Sequence, residues 1–162
     1  MRLCIIVLFL IFALKTYAPS LEEDHLIKAN DYRKVMVEIQ KEIKIQKILK
    51  TIRTIESSGR YNIPGPGTDY GAYQFIPSTW ENYCNKYFGK VLDITNPENQ
   101  DKVAYLKVKE LLGKEFTVAQ IAAFWNSGLT TGWENKRGIN KDGVPYDVPK
   151  HVKRFLNTYA TI

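Results

Sequence analysis

The stretch Ile45-Gln46-Lys47-Ile48-Leu49-Lys50-Thr51-Ile52-Arg53-Thr54-Ile55-Glu56-Ser57-Ser58-Gly59 decides the fold. Its apolar positions Ile45, Ile48, Leu49, Ile52 and Ile55 recur at steps of three and four, which lines one face of a helix. Gly59 stands where a C-terminal cap would end that helix. Glu56 lies four residues after Ile52 and seven after Leu49, so it continues the core-facing stripe. A carboxyl group there is partly desolvated, which raises its pKa and keeps it protonated near neutrality. A protonated carboxyl beside a cleft is what a general acid requires. The spacing equally admits a solvated last-turn glutamate that merely opposes the helix dipole, so the surrounding residues have to decide.

Upstream, residues 31–57 read as helical, with Val35, Ile39 and Ile43 leading into the stripe and a break expected near Lys44. A coiled coil is disfavoured there, because the heptads are short and irregular. Residues 19–30 are polar and read as a linker or a frayed helix start. Downstream, Asn62-Ile63-Pro64-Gly65-Pro66-Gly67-Thr68-Asp69-Tyr70-Gly71 forbids a continuing helix. Phe75 to Tyr87 then reads as helical, with Pro77 near its start. Asn96 and Pro97 open a helix that Gly113 ends, and Thr117 caps another over Val118–Asn126. Asn140-Lys141-Asp142-Gly143 signals a turn, and a last helix follows Pro149. Strands are few, so the expected class is mainly α.

The 162 residues suffice for one domain with a real core. Composition is ordinary for a globular protein, with 44% hydrophobic and 25% charged residues. The formal charge is +6, and removing residues 1–18 takes away Arg2 and Lys15 to leave +4. That mild basic bias suits an anionic polymer such as a cell wall or an acidic membrane surface. Nucleic acid is not expected as a partner, because no basic stripe with interleaved aromatics and no helix-turn-helix pattern occurs. Arg2 followed by the apolar run Leu3–Leu14 reads as an export signal or N-terminal anchor over residues 1–18. Thr16-Tyr17-Ala18 offers a cleavage site and Pro19 argues against its use, so a free and a tethered protein both stay open. The expected location is the periplasm or the cell exterior. Cys84 is the one cysteine after the leader, so no internal disulfide is expected. His25 and His151 have no companions at metal-ligand spacing, and no metal or cofactor is expected.

Several motifs then line up in order. Glu56-Ser57 is followed by Gly71-Ala72-Tyr73-Gln74-Phe75, Ser78-Thr79-Trp80, Gln100-Asp101 and Ala123-Phe124-Trp125-Asn126-Ser127-Gly128. This series resembles the soluble lytic transglycosylase family, whose fold is lysozyme-like, over roughly residues 45–157. The Gln-Phe and Thr-Trp pairs also resemble resuscitation-promoting factors. The resemblance implies a lysozyme-like domain over residues 45–162, behind an N-terminal linker and helix over 19–44. It implies a substrate of peptidoglycan glycan strands. Service to a type IV secretion or conjugation apparatus is a further expectation, since small members of the family serve such systems.

Residue by residue, the resemblance implies that Glu56 is the catalytic acid and base, and that Ser57 orients the acid and meets the sugar. Gln74 matches the glutamine of the Gly-x-x-Gln motif, and Asn126 a sugar-contacting asparagine. Trp125 stands where the family has tyrosine, which keeps an aromatic face and loses a hydroxyl. His151 stands where the family often has a tyrosine close to the acid, and Tyr146 is a second source for that hydroxyl. Tyr70, Tyr73 and Trp125 are expected to face the cleft and stack on sugars, while Phe75 and Trp80 are expected to pack inside. Most glycosidases use two carboxyl groups, whereas the resemblance implies one, with a 1,6-anhydro product. Asp69 is either a turn residue or a second carboxylate that would make the chain a hydrolytic muramidase. A wall-binding module without activity is the reading from a different class.

Overall fold

The computed structural model describes the backbone of residues 2–140 and 143–162, and side chains at residue 26, 28–140 and 143–162. All side chains of the expected leader, residues 1–18, lie outside the described residues, as do Lys141 and Asp142 of the expected turn. Helix α1 runs Arg2–Ser57, so the chain is helical through the expected linker at 19–30 and through Lys44 without a break. Two compact units divide the chain, Met1–Glu42 and Ile43–Ile162.

The first unit is a single helix. Its described side chains up to Lys41 are all exposed, including Tyr32, Val35, Met36 and Ile39. The expected inward stripe therefore begins later than Val35, since Ile43 is exposed too and Ile45 is the first buried member. Among the described residues no helix is long and apolar enough to cross a membrane.

The second unit contains the end of α1 and then α2 (Pro77–Phe88), α3 (Pro97–Gly113), α4 (Val118–Ser127), β1 (Arg137–Ile139), β2 (Pro145–Asp147) and α5 (Val148–Thr161). It is mainly α, with one small antiparallel hairpin in which Arg137 faces Asp147 and Ile139 faces Pro145. Local chemistry sets the boundaries. Pro77 and Pro97 sit at helix starts, where a missing N–H costs nothing. Asn96 accepts from the Glu98 amide, and Thr117 and Gln120 form a capping box. Phe75 lies outside α2, in a short bridge with Tyr70, because the helix starts only at the proline.

Ile45, Ile48, Leu49 and Ile52 of α1 are buried with Val103, Val108 and Leu111 of α3, Ile121 of α4, and Val152 and Phe155 of α5. Phe75 and Trp80 are each 3% exposed, so both pack inside as their spacing predicts. Ile55 is only half-buried, at the rim of this core. Among the polar side chains buried with this core is Gln100, fully buried near the start of α3. Its Oε1 accepts from the Ala72 amide at 2.8 Å, and its Nε2 donates to the carbonyls of Ile94 at 2.7 Å and Tyr61 at 3.1 Å. One side chain thus satisfies three backbone groups of two loops. Gly71 makes room for it: at φ +85° a Cβ there would run into the Gln100 amide.

Gln100→Ala leaves those three buried backbone groups unpaired. The expected result is a loss of roughly 2–4 kcal/mol, read as a lower urea midpoint at unchanged slope.

Candidate functional site

Helix α1 delivers Glu56 to the mouth of a pinned loop. Ser58 (φ 56°) and Gly59 (φ 80°) turn the chain out of the helix. Ser57, 4% exposed, has its hydroxyl 3.0 Å from the Ala72 carbonyl and 3.2 Å from that of Arg53, its acceptors. Ser57 is therefore a tie between the helix end and the Gly71–Phe75 segment, and the expected sugar contact from its hydroxyl is corrected by its burial. Asp101 secures the same segment from α3. It accepts from the hydroxyls of Tyr73 at 2.6 Å and Tyr61 at 2.8 Å, and pairs with Arg53 at 3.2 Å.

Tyr73 is consequently fully buried, its phenol committed to Asp101 and Arg53. This corrects the expectation of a sugar-stacking face at Tyr73. Burial and the Asp101 carboxylate also raise the pKa of its hydroxyl. Gln74 takes a left-handed backbone (φ 50°) and turns its amide onto the loop, donating to Gly71 at 2.7 Å and Ile63 at 3.3 Å. Asp69 and Gln74 close over Gly65, where a Cβ would strike both side chains. Tyr70 is half-buried and bridges Pro64 and Phe75 by its backbone.

The Glu56 carboxyl is 18% exposed and no hydrogen bond reaches it among the described residues. Burial pushes its pKa up to about 7, Arg154 pulls it partly back, and the negative charge of Asp69 adds to the rise. His151, from the first turns of α5, is 8% exposed with Nε2 3.7 Å from Glu56 Oε1. Burial, reinforced by Arg154, drives the imidazole down to about 4. The contact is therefore not an ion pair near neutrality. In water a glutamate ionises before an imidazolium loses its proton; desolvation of both partners reverses that order, and each is neutral between their two shifted values. His151 does stand against the acid. Tyr146 does not: it is exposed on β2, packed over Gly138, with no hydrogen bond to Glu56.

A groove of about 320 Å³ lies between the Tyr73–Ile76 segment, α2 and the end of α4. Trp125, Asn126, Gln74, Thr79 and Tyr83 are among its walls. Trp125 donates from Nε1 to the Tyr73 carbonyl at 3.1 Å, and its ring packs on Phe75 with centroids 5.7 Å apart. Asn126 is exposed on the last turn of α4. Glu56 is not on the wall of this groove. The two are joined by the Ala72–Phe75 segment, held by Ser57 on one side and Trp125 on the other. A wider hollow of about 500 Å³ between α1, α3 and the end of α2 is lined by none of the expected site residues. Among the described residues no cluster of three histidine, cysteine or acidic side chains could hold a metal ion.

Sequence reasoning missed Gln100 and Asp101 as the loop's anchors, although the pair is itself one of the motifs that carry the resemblance. It also missed Arg154, whose Nη2 donates to the Ile55 carbonyl at 3.2 Å and whose charge acts on both Glu56 and His151. The available signal was its spacing of three from His151, which places both on one face of α5. No model of a known protein family matches the chain, and no curated protein matches it.

The Glu56–His151 pair has a particular linkage signature. A glutamate raised to about 7 disfavours folding as pH climbs from its unfolded value near 4.5 to 7. A histidine lowered to about 4 does the opposite: it disfavours folding as pH falls from 6.5 to 4. Between about 4.5 and 6.5 the unfolded chain holds its one proton on histidine and the folded chain holds it on glutamate, so the slopes cancel. Glu56→Gln is expected to expose the histidine slope alone, with stability rising by roughly 2–3 kcal/mol from pH 4 to 6.5 relative to wild type. His151→Phe is expected to show the reverse slope. Urea unfolding at several pH values reads both.

Proposed function

We infer that this chain cleaves peptidoglycan glycan strands at the bond between N-acetylmuramic acid and N-acetylglucosamine, as a lytic transglycosylase of lysozyme-like fold. The observation that carries this reading is the state of Glu56: a half-buried carboxyl, set against His151 and raised by desolvation to about 7, at the end of a core helix and beside a pinned loop. Such a group donates a proton near neutrality and accepts one back when ionised. A site that only bound glycan would gain nothing from an acid held in that state.

In the proposed reaction Glu56 protonates the leaving glycosidic oxygen. The substrate's own N-acetyl group supports the positive charge at the anomeric carbon. The Glu56 carboxylate then takes the proton of the C6 hydroxyl, whose oxygen closes a 1,6-anhydro ring. No metal or cofactor has a part in these steps. Trp125 and Asn126 on the groove wall, with Tyr70 nearby on the loop, are the residues assigned to hold the sugar chain. In this reading the protein is exported, acts in the periplasm or outside the cell, free or tethered by its N-terminal segment, and opens the wall locally for an apparatus such as a type IV secretion system. Nucleic acid is not a partner.

One observation favours a second reading, a muramidase. Asp69 lies close enough to Glu56 for its charge to raise the acid, and a second carboxylate in that position would hold an attacking water.

Mass spectrometry of purified peptidoglycan digested with residues 19–162 separates the readings. Anhydromuramyl products, one water lighter than hydrolysis products, are expected from wild type. Glu56→Gln should lower turnover by about a thousandfold or more. Asp69→Asn should leave turnover within about tenfold. Reducing-end products that vanish in Asp69→Asn would instead establish the muramidase, and unchanged digestion by Glu56→Gln would remove the catalytic assignment.

A further inference from the structure

The contact between His151 and Glu56 supports an inference that rests on the acid assignment above and deepens it. His151 Nε2 is buried and is the one buried side-chain polar atom without a hydrogen-bond partner among the described residues. A buried polar atom left unpaired is costly, so a native site holds one for a reason. The polar atom set against it is Glu56 Oε1, at 3.7 Å. A hydrogen bond needs roughly 2.7–3.2 Å, so a side-chain adjustment of about half an ångström closes the pair. Catalytic hydrogen bonds are commonly long in ligand-free sites and tighten when substrate arrives.

A neutral imidazole has one N–H and one lone pair, and its surroundings choose the tautomer. Nδ1 is not a buried orphan, so solvent can serve its lone pair. Nε2 faces the carboxyl. A hydrogen bond from the acid to Nε2 would aim the acid's only proton away from the glycosidic oxygen. A hydrogen bond from Nε2–H to Oε1 leaves that proton on the other oxygen, free to be given. We propose that His151 is the positioning residue of the acid: its Nε2–H donates to Glu56 Oε1, which keeps the transferable proton on Oε2 and steadies the carboxylate left when that proton departs. The proton leaves Oε2 for the glycosidic oxygen, and Oε2 takes back the proton of the C6 hydroxyl. His151 exchanges none. The other charges facing this pair are Arg154 on α5, which acts on both members, and Asp69 on the loop, which acts on Glu56.

The test is nuclear magnetic resonance of the full chain, labelled with nitrogen-15 in histidine and carbon-13 in the glutamate carboxyl, titrated across neutral pH. The expected result is a protonated-type signal at His151 Nε2. His151→Phe should raise the Glu56 midpoint, because a donor to the carboxylate is lost, and His151→Gln, which keeps an N–H, should restore part of it. On glycan strands His151→Phe should lower kcat on the order of tenfold with KM little changed, and His151→Gln should recover part of the rate. An unprotonated Nε2, or a Glu56 midpoint that falls or stays in His151→Phe, overturns the proposal. Should the phenylalanine variant fail to fold, the wild-type Nε2 signal and the glutamine variant's midpoint decide the matter. Failure of the enzymatic reading is a separate event, seen as undiminished digestion by Glu56→Gln while the labelled pair still titrates as described.

Discussion

Gln100 is the constraint on which the rest of the second unit depends. Its amide is fully buried and makes three hydrogen bonds, to Ala72, Ile94 and Tyr61. A buried amide is tolerated only when its donors and acceptor are matched, and here the matching groups come from two loops that would otherwise be loose. Asp101, the next residue, repeats the logic with charge, gathering Tyr61, Tyr73 and Arg53 onto one carboxylate. The glycine-rich segment between α1 and α2 is thus tied to α3 at Tyr61, Ala72 and Tyr73. Of its left-handed residues, Gly71 takes that backbone through glycine's own freedom, whereas Gln74 is held in it by its amide's hydrogen bonds to Gly71 and Ile63.

With the loop fixed, the environment of Glu56 follows. The helix carries the carboxyl toward the core, the loop and α5 cover it, and desolvation does the rest. The same desolvation acts on His151 from the other side. Two groups that would form an ion pair in water are both neutral in the fold. The pair holds one proton in both the folded and the unfolded state between about pH 4.5 and 6.5, so the fold keeps Glu56 protonated there with little dependence of stability on pH.

Much of the fold was legible in the chain. The stripe from Ile45 to Ile52, the prolines at the starts of α2 and α3, the Thr117 cap and the glycine ends are local signals, and the helices form where they point. The stripe was read too far upstream, because Val35, Ile39 and Ile43 have helical spacing although they are exposed. Periodicity reports a face, and it does not report whether anything covers that face. The site was legible in part. Glu56 and His151 meet, and Trp125 and Asn126 share a groove. Tyr73 and Ser57 are inside, because a residue in a motif between two loops can serve either the ligand or the loop, and a string of letters does not separate the two.

By itself the sequence determined a mainly helical domain, the position of one glutamate on its core-facing stripe, and the ends of most of its helices. These are consequences of three- to four-residue spacing and of single residues whose backbone preferences act locally. Only the tertiary structure decided that Gln100 and Asp101 bind the loop, that Tyr73 turns inward, and that Arg154 flanks the Glu56–His151 contact. Those facts depend on which segments lie against one another across 28 to 99 positions of chain, and on how much water each is denied. No spacing rule reaches that far, because burial and charge are properties of the packed surroundings and not of the residue.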